Sequence, residues 1–225
     1  VNHISYDSNF IEILQCLDKA FTSKPGNISY LKSFSADRGR ESIGLMPAID
    51  LSKIGYNKLY VKTLAASGLK IGIINGNASN GESIDKSLFK NAIECGIALL
   101  VDIQNKSGLK QIIESPANNL GIIIKDIQLL DADIYDNISK KNHLIIYTFN
   151  SEEKSENIVE SILTLKSKLK SNQIMISPDE FNTNTFSKLK EVFFALDKLK
   201  LSDDFTIKLF GNNFVEFFMR ATNTQ

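Results

Sequence analysis

The sequence predicts an α/β fold, a compact (β/α)8 TIM-like barrel with a C-terminal helix. Three observations carry this. Short β-rich runs alternate with longer amphipathic segments along the chain. The runs are continuously apolar rather than alternating, as in Leu120-Gly121-Ile122-Ile123-Ile124, which is the pattern of parallel strands covered on both faces. No Pro/Ser-rich linker or shift in composition divides the chain, so one domain spans residues 1–225. An open, doubly wound sheet is the competing architecture, but no GxGxxG follows the first strand and no GxxxxGK[ST] occurs anywhere.

In chain order, Val1 to Tyr6 reads as a first strand, and Asp7 or Ser8 caps a helix with Phe10, Ile13, Leu14 and Leu17 on one face. Asn27 to Phe34 holds a weak strand or a short helix, and Ile43 to Ile49 a further strand. Leu69 to Asn75 is a strand that runs into a polar loop, Asn75 to Gly81. Ser83-Ile84-Asp85 opens a helix through Leu88, Phe89, Ala92 and Ile93, with Gly96 as its C-terminal stop. Strands follow at Ile97–Asp102, Leu120–Asp126 and Leu144–Phe149. Asn150 or Ser151 starts the longest helix, with Ile158, Val159, Ile162, Leu165 and Leu169 in one stripe. Gln173 to Ser177 is the last strand, and Thr185 to Lys200 carries Phe186, Leu189, Val192, Phe193, Leu196 and Leu199 at helical spacing. The tail from Asp203 to Arg220 is a closing helix (residues 204–220) broken near Gly211, whose Phe210, Phe214, Phe217 and Phe218 seal one end or side of the barrel.

Composition excludes several roles. Lys+Arg and Asp+Glu are both 26, so the net charge is zero, which argues against a dedicated nucleic-acid surface. No apolar run approaches the roughly 18–20 residues that span a bilayer, and the start shows no signal-peptide pattern. Two cysteines, Cys16 and Cys95, suit a reducing cytoplasm, and that is the expected localisation. Two histidines, His3 and His143, limit what a metal site here contains.

In a barrel, chemistry sits at the C-terminal ends of the strands, and the strand starts serve stability. Asp102, Lys125 with Asp126, Asn75, and Asp179 with Glu180 each follow an apolar strand directly. Carboxylates at strand tips converge on one axial pocket, as acid/base or metal chemistry requires. Each aspartate taken alone also reads as a helix cap or turn residue. Lys125 is the sharper signal, because a lysine ending so apolar a strand must reach out to water or pair with carboxylates. The candidate catalytic residues are therefore Asp179, Lys125 and Asp102, with Asn75 and His3 as substrate contacts. His143 falls at a strand start, where a local hydrogen bond is its expected role. Asp37-Arg38-Gly39-Arg40-Glu41 reads as a solvated ion-pair cluster before an anion site, and Cys16 and Cys95 as packing residues.

Several segments carry a resemblance. The tail Lys208-Leu209-Phe210-Gly211-Asn212-Asn213-Phe214, the strand Gln173-Ile174-Met175-Ile176-Ser177-Pro178-Asp179, the passage Leu69 to Asp102 and the opening Val1-Asn2-His3-Ile4-Ser5 resemble the amidohydrolase superfamily of metal-dependent TIM-barrel hydrolases, especially its branch that includes decarboxylases. That resemblance implies a His-x-His pair on the first strand, two later strand-end histidines and a final aspartate that ligates metal and moves the proton of the attacking water. Here His3-Ile4-Ser5 supplies one of the first pair, Asp102 and Lys125 stand where the later histidines are expected, and Asp179 matches the final aspartate. A hydrolytic Zn²⁺ needs about three ligands and an open position. A protonated lysine in that ring repels the ion and cannot ligate it. The expectation is therefore no metal, with Lys125 lying between Asp102 and Asp179 as the resident cation. The alternative is one divalent metal such as Zn in a rebuilt, carboxylate-rich site.

Three functions follow from these readings. The first is an amidohydrolase-like barrel without the metal centre, non-hydrolytic and taking a small-molecule ligand. The second is a metal-dependent hydrolase or decarboxylase of a small molecule. The third is a non-catalytic barrel subunit of an RNA-processing assembly, against which zero net charge and three arginines weigh. The sequence leaves the oligomeric state open.

Overall fold

The computed structural model describes residues 48–51, 58–66, 69–76, 86–180 and 182–222. The expected strand at Val1–Tyr6, the helix that follows it, the segment 27–34, the cluster 37–41, most of the strand 43–49 and the helix cap at 83–85 lie outside the described residues, as do His3 and Cys16.

Among the described residues, six strands form one sheet: β1 Ala48–Asp50, β2 Ile71–Asn75, β3 Ala98–Ile103, β4 Gly121–Ile124, β5 Leu144–Phe149 and β6 Ile174–Pro178. They lie side by side in sequence order, every neighbouring pair parallel. Helices α1 Lys58–Ala66, α2 Lys86–Glu94, α3 Lys106–Glu114, α4 Ala132–Lys140 and α5 Ser155–Lys168 each connect one strand to the next, and α6 Thr183–Lys198 follows β6. Strand order that never reverses has no switch point, so the doubly wound alternative is out and the winding is that of a barrel.

The apolar runs predicted as strands become strands because both faces are covered. On the outer side, helix residues such as Val61, Leu64, Leu109, Ile112, Ile158 and Ile162 pack on Leu99, Val101, Ile122, Ile145 and Ile174 in one continuous core. The inner side carries a second cluster, in which Ile71, Ala98, Leu100, Leu144 and Ile146 meet Phe217, Phe218 and Ala221. Those last three belong to α8, Asn213–Thr222, which completes the tail after α7, Asp203–Ile207, and a wider turn at Lys208–Asn212 containing the non-helical Gly211. The tail is thus broken at Gly211, as expected. Gly121 makes room for it, since an added Cβ there would lie 2.5 Å from Leu100 Cδ2 and 3.4 Å from Phe217 Cζ. Buried Asn213 fixes the start of α8 by donating from Nδ2 to the carbonyls of Ser171 and Ile174. Phe217 and Phe218 seal the inner face, whereas Phe210 packs outside, edge to face with Phe193 at 5.6 Å between centroids.

Some boundaries differ from expectation. The helix expected from Asn150 or Ser151 begins at Ser155, because the Asn150 side chain instead accepts from the backbone N–H groups of Glu152 and Glu153 in a separate turn. At 14 residues it is shorter than α6, which has 16 and a capping box between Asn182 and Thr185. Helices α1, α3 and α4, nine residues each, were not foreseen. Among the described residues, no helix is long and apolar enough to cross a membrane.

Candidate functional site

Helix α8 covers the inner face at the strand starts, so its polar residues collect at the opposite, C-terminal ends. Parallel register aligns Asn75 with Asp102, Asp102 with Ile123, and Thr148 with Ser177. Side chains alternate along a strand, so Asn75, Asp102, Lys125, Thr148 and Ser177 share the face of Ile73, Leu100, Ile123, Ile146 and Met175, the inner cluster. Four of the predicted residues therefore do gather at one end: Asn75, Asp102, Lys125 and, one step past β6, Asp179.

Their pairing is narrower than expected. Lys125 Nζ lies 3.2 Å from Asp179 Oδ2, with the lysine side chain 63% exposed and the aspartate 22%. Strands β4 and β6 are not neighbours; β5 lies between them, a span of roughly 10 Å. Lys125 thus reaches over the end of β5, and Asp179 is held there by its N–H, which donates to the Phe149 carbonyl at 2.9 Å. Asp102 sits on β3, on the other side of β4. An ammonium leaning toward β6 leaves it behind, and the Asp102 side chain has no ion pair or hydrogen bond among the described residues. The buried lysine bridging two aspartates is therefore corrected to a half-exposed pair and a separate carboxylate.

Two hydroxyls that the sequence did not single out belong to this end. Thr148 Oγ1 donates to the Ile124 carbonyl at 3.2 Å, and Ser177 Oγ to the Pro178 carbonyl at 3.1 Å. Both lie within otherwise apolar strand runs, and the available signal was a polar residue at an inward-facing register position. Asp126, by contrast, caps the short turn Ile127–Leu129 by accepting from the Gln128 N–H, so the capping role holds for it. Glu180 is exposed. At the opposite end His143 directly precedes β5, fully buried, its Nδ1 accepting from the Leu120 N–H at 3.1 Å.

The neighbouring β2–β3 tips are fixed by backbone. Gly76 N–H donates to the Asp102 carbonyl at 2.8 Å, extending the ladder past Asn75. The first turn of α3 packs onto Gly76 so closely that a Cβ at Gly108 would fall 1.9 Å from the Gly76 oxygen. Asn105 caps that turn, accepting from the Gly108 N–H. Asp131, the cap of α4, pairs with Lys106 at 2.9 Å, and the Lys106 ammonium is the main cause that holds its carboxyl below the usual range.

Among the described residues, no three of His, Cys, Asp or Glu come together as a ligand set. Asp102 offers one donor, and Asp179 is engaged by an ammonium. The described residues do not fit the metal centre that the resemblance implies, nor the three protein ligands a hydrolytic zinc needs.

No protein-family profile and no curated protein matches the chain. Solved structures do. An amidohydrolase from Pseudomonas aeruginosa superposes with a TM-score of 0.72 over 97% of this chain and 86% of that one, at 11% identity. The probable dipeptidase PvdM from the same organism gives 0.72 over 94% of this chain and 77% of that one, at 13% identity. At such identities the likeness shows the fold alone: the chain has the barrel fold of these two structures.

Proposed function

We propose that this chain is an amidohydrolase-like barrel that works without a metal centre and binds a small polar molecule at its strand tips instead of hydrolysing one. The observation that supports this reading is the ion pair between Lys125 and Asp179, 3.2 Å apart. By resemblance, Asp179 is the carboxylate that would ligate the metal; an ammonium now sits on it. A divalent ion entering the same ring would displace that ammonium and then face its charge, a repulsion of several kcal/mol at about 4 Å in a medium of effective dielectric ~20. The ammonium itself has no lone pair to offer.

The same arrangement describes a binding site. With Lys125 turned to Asp179, Asp102 keeps an acceptor-only carboxylate beside Asn75 on the adjacent strand. Lys125 supplies a cation on the other flank, and His3 is the further contact that the sequence reading adds. Asp102, Lys125 and Asp179 are the groups able to move a proton on a bound molecule. The cytoplasmic reading goes with this one and rests on cysteine usage, Cys95 being a free thiol.

Metal analysis tests the proposal. After incubation with Zn²⁺, Mn²⁺ or Ni²⁺ and desalting, the protein is expected to retain less than about 0.1 metal per chain, since a built site of several ligands would hold its ion. One equivalent of tightly held metal would sink it and favour the rebuilt carboxylate-rich hydrolase or decarboxylase.

A further inference from the structure

The strand starts, at the end of the sheet opposite the candidate site, hold a set of buried polar side chains that the site does not use. His143 directly precedes β5, Gln173 directly precedes β6, and Asn213 opens α8; they are 0%, 2% and 0% exposed. Each commits one end of its polar group to backbone. The His143 ring accepts at Nδ1 from the Leu120 N–H. Gln173 Nε2 donates to the carbonyls of Ile138 and His143 at 3.0 and 3.3 Å. Asn213 Nδ2 donates to the carbonyls of Ser171 and Ile174, on either side of Gln173 in the chain.

These partners fix which atom is which. Turning either amide over would set its oxygen against two carbonyl oxygens. Burial keeps the imidazole neutral, and with Nδ1 engaged as an acceptor its one N–H is at Nε2. Three atoms of the set then have no hydrogen-bond partner among the described residues: His143 Nε2, Gln173 Oε1 and Asn213 Oδ1. They amount to one donor and two acceptors in a buried layer, where polar groups are nearly always paired. The molecule that pairs them must have the converse set. An anion has no proton for the two amide oxygens, and an ammonium has no lone pair for the Nε2–H. A metal ion would need the Nε2 lone pair, which the proton occupies. Water donates twice and accepts, and so meets all three.

We propose that a single buried water is an integral part of this end of the barrel, accepting from His143 Nε2–H and donating to Gln173 Oε1 and Asn213 Oδ1. It joins the starts of β5 and β6 to α8 and holds His143 as a structural anchor closed to metal. Nuclear magnetic resonance of the full chain, labelled with ¹⁵N in its histidines, tests this. The His143 ring N–H should exchange slowly and show a cross-peak at the water frequency with the sign of direct dipolar contact. His3→Gln leaves His143 as the sole histidine and so assigns the signal. A crystal structure of the same chain should place a water about 2.7–3.2 Å from Nε2 and within the same reach of at least one of the two amide oxygens. An Nε2–H that contacts an amide oxygen directly, or that shows no water contact by either method, overturns the proposal. A ring signal that moves when excess Zn²⁺ is added overturns it equally, since the metal would then hold Nε2.

Discussion

His143 illustrates how a single buried side chain ties this fold to pH. It has no exposed surface, and its Nδ1 accepts from Leu120, which places the ring proton on Nε2. Burial, with a contribution from the Lys141 ammonium, lowers its pKa from 6.5 to about 3. In the unfolded chain the imidazole takes a proton near pH 6.5, while in the folded chain it stays neutral until about pH 3. Between those values the unfolded state binds more protons, so the stability that His143 contributes is complete above 6.5 and drains away as pH falls toward 3. At pH 5 the loss is about 2 kcal/mol. Urea midpoints at pH 7 and pH 5 check this: His143→Gln should show a smaller drop between the two than the parent, and equal drops would refute it. The candidate site was legible at the same scale for a related reason. A lysine or aspartate directly after a run such as Leu120–Ile124 has nowhere apolar to go, so Lys125 and Asp179 could be picked out as charges and as partners. That Lys125 would cross β5 and desert Asp102 depends on which strands flank β4, and no local pattern in the sequence contains that.

At the scale of elements, the joint between β2 and α3 sets how the β2–β3 end of the site is held. Gly108 sits in the first turn of α3, where alanine would ordinarily stabilise a helix by close to 1 kcal/mol. Here its Cβ would overlap the Gly76 carbonyl oxygen at 1.9 Å, and a backbone carbonyl on a residue whose own N–H is tied to the Asp102 carbonyl cannot swing aside as a flexible side chain would. Gly108→Ala should therefore destabilise by about 3 kcal/mol, an overpacking cost, and lower Tm by roughly 6–12 °C for a chain of this size. A Tm within about 1 °C of the parent would show that α3 slides freely. The strands were legible because each is a continuous apolar run, and α5 and α6 because four or five apolar residues recur over several turns. Helices α1 and α4 bury only Val61 and Leu64, and Ile134 and Ile138; two residues on one stripe cannot declare a period. In α3 the buried stripe opens with Gly108 itself, which reads in sequence as a breaker.

The molecule as a whole is polarised along the strands. At one end of the inner face, α8 fills the space between the strands with Phe217, Phe218 and Ala221; at the other, Asp102, Lys125 and Asp179 face outward with water. Side chains at strand starts carry stability, and those at strand tips are free to change without disturbing the fold. The load on the closed end is testable. Phe217 is fully buried against the start of β4, where Gly121 leaves it room. Phe217→Ala should cost about 3–5 kcal/mol, a large part of the 5–15 kcal/mol that typically holds a domain folded, and Phe217→Leu clearly less. If α8 is integral to the core, the urea midpoint falls while the m-value stays constant, because the same surface is exposed on unfolding. A loss under about 1 kcal/mol, or a lower m-value with an early separate transition, would instead mean that α8 peels off alone and that the inner face is closed by something else.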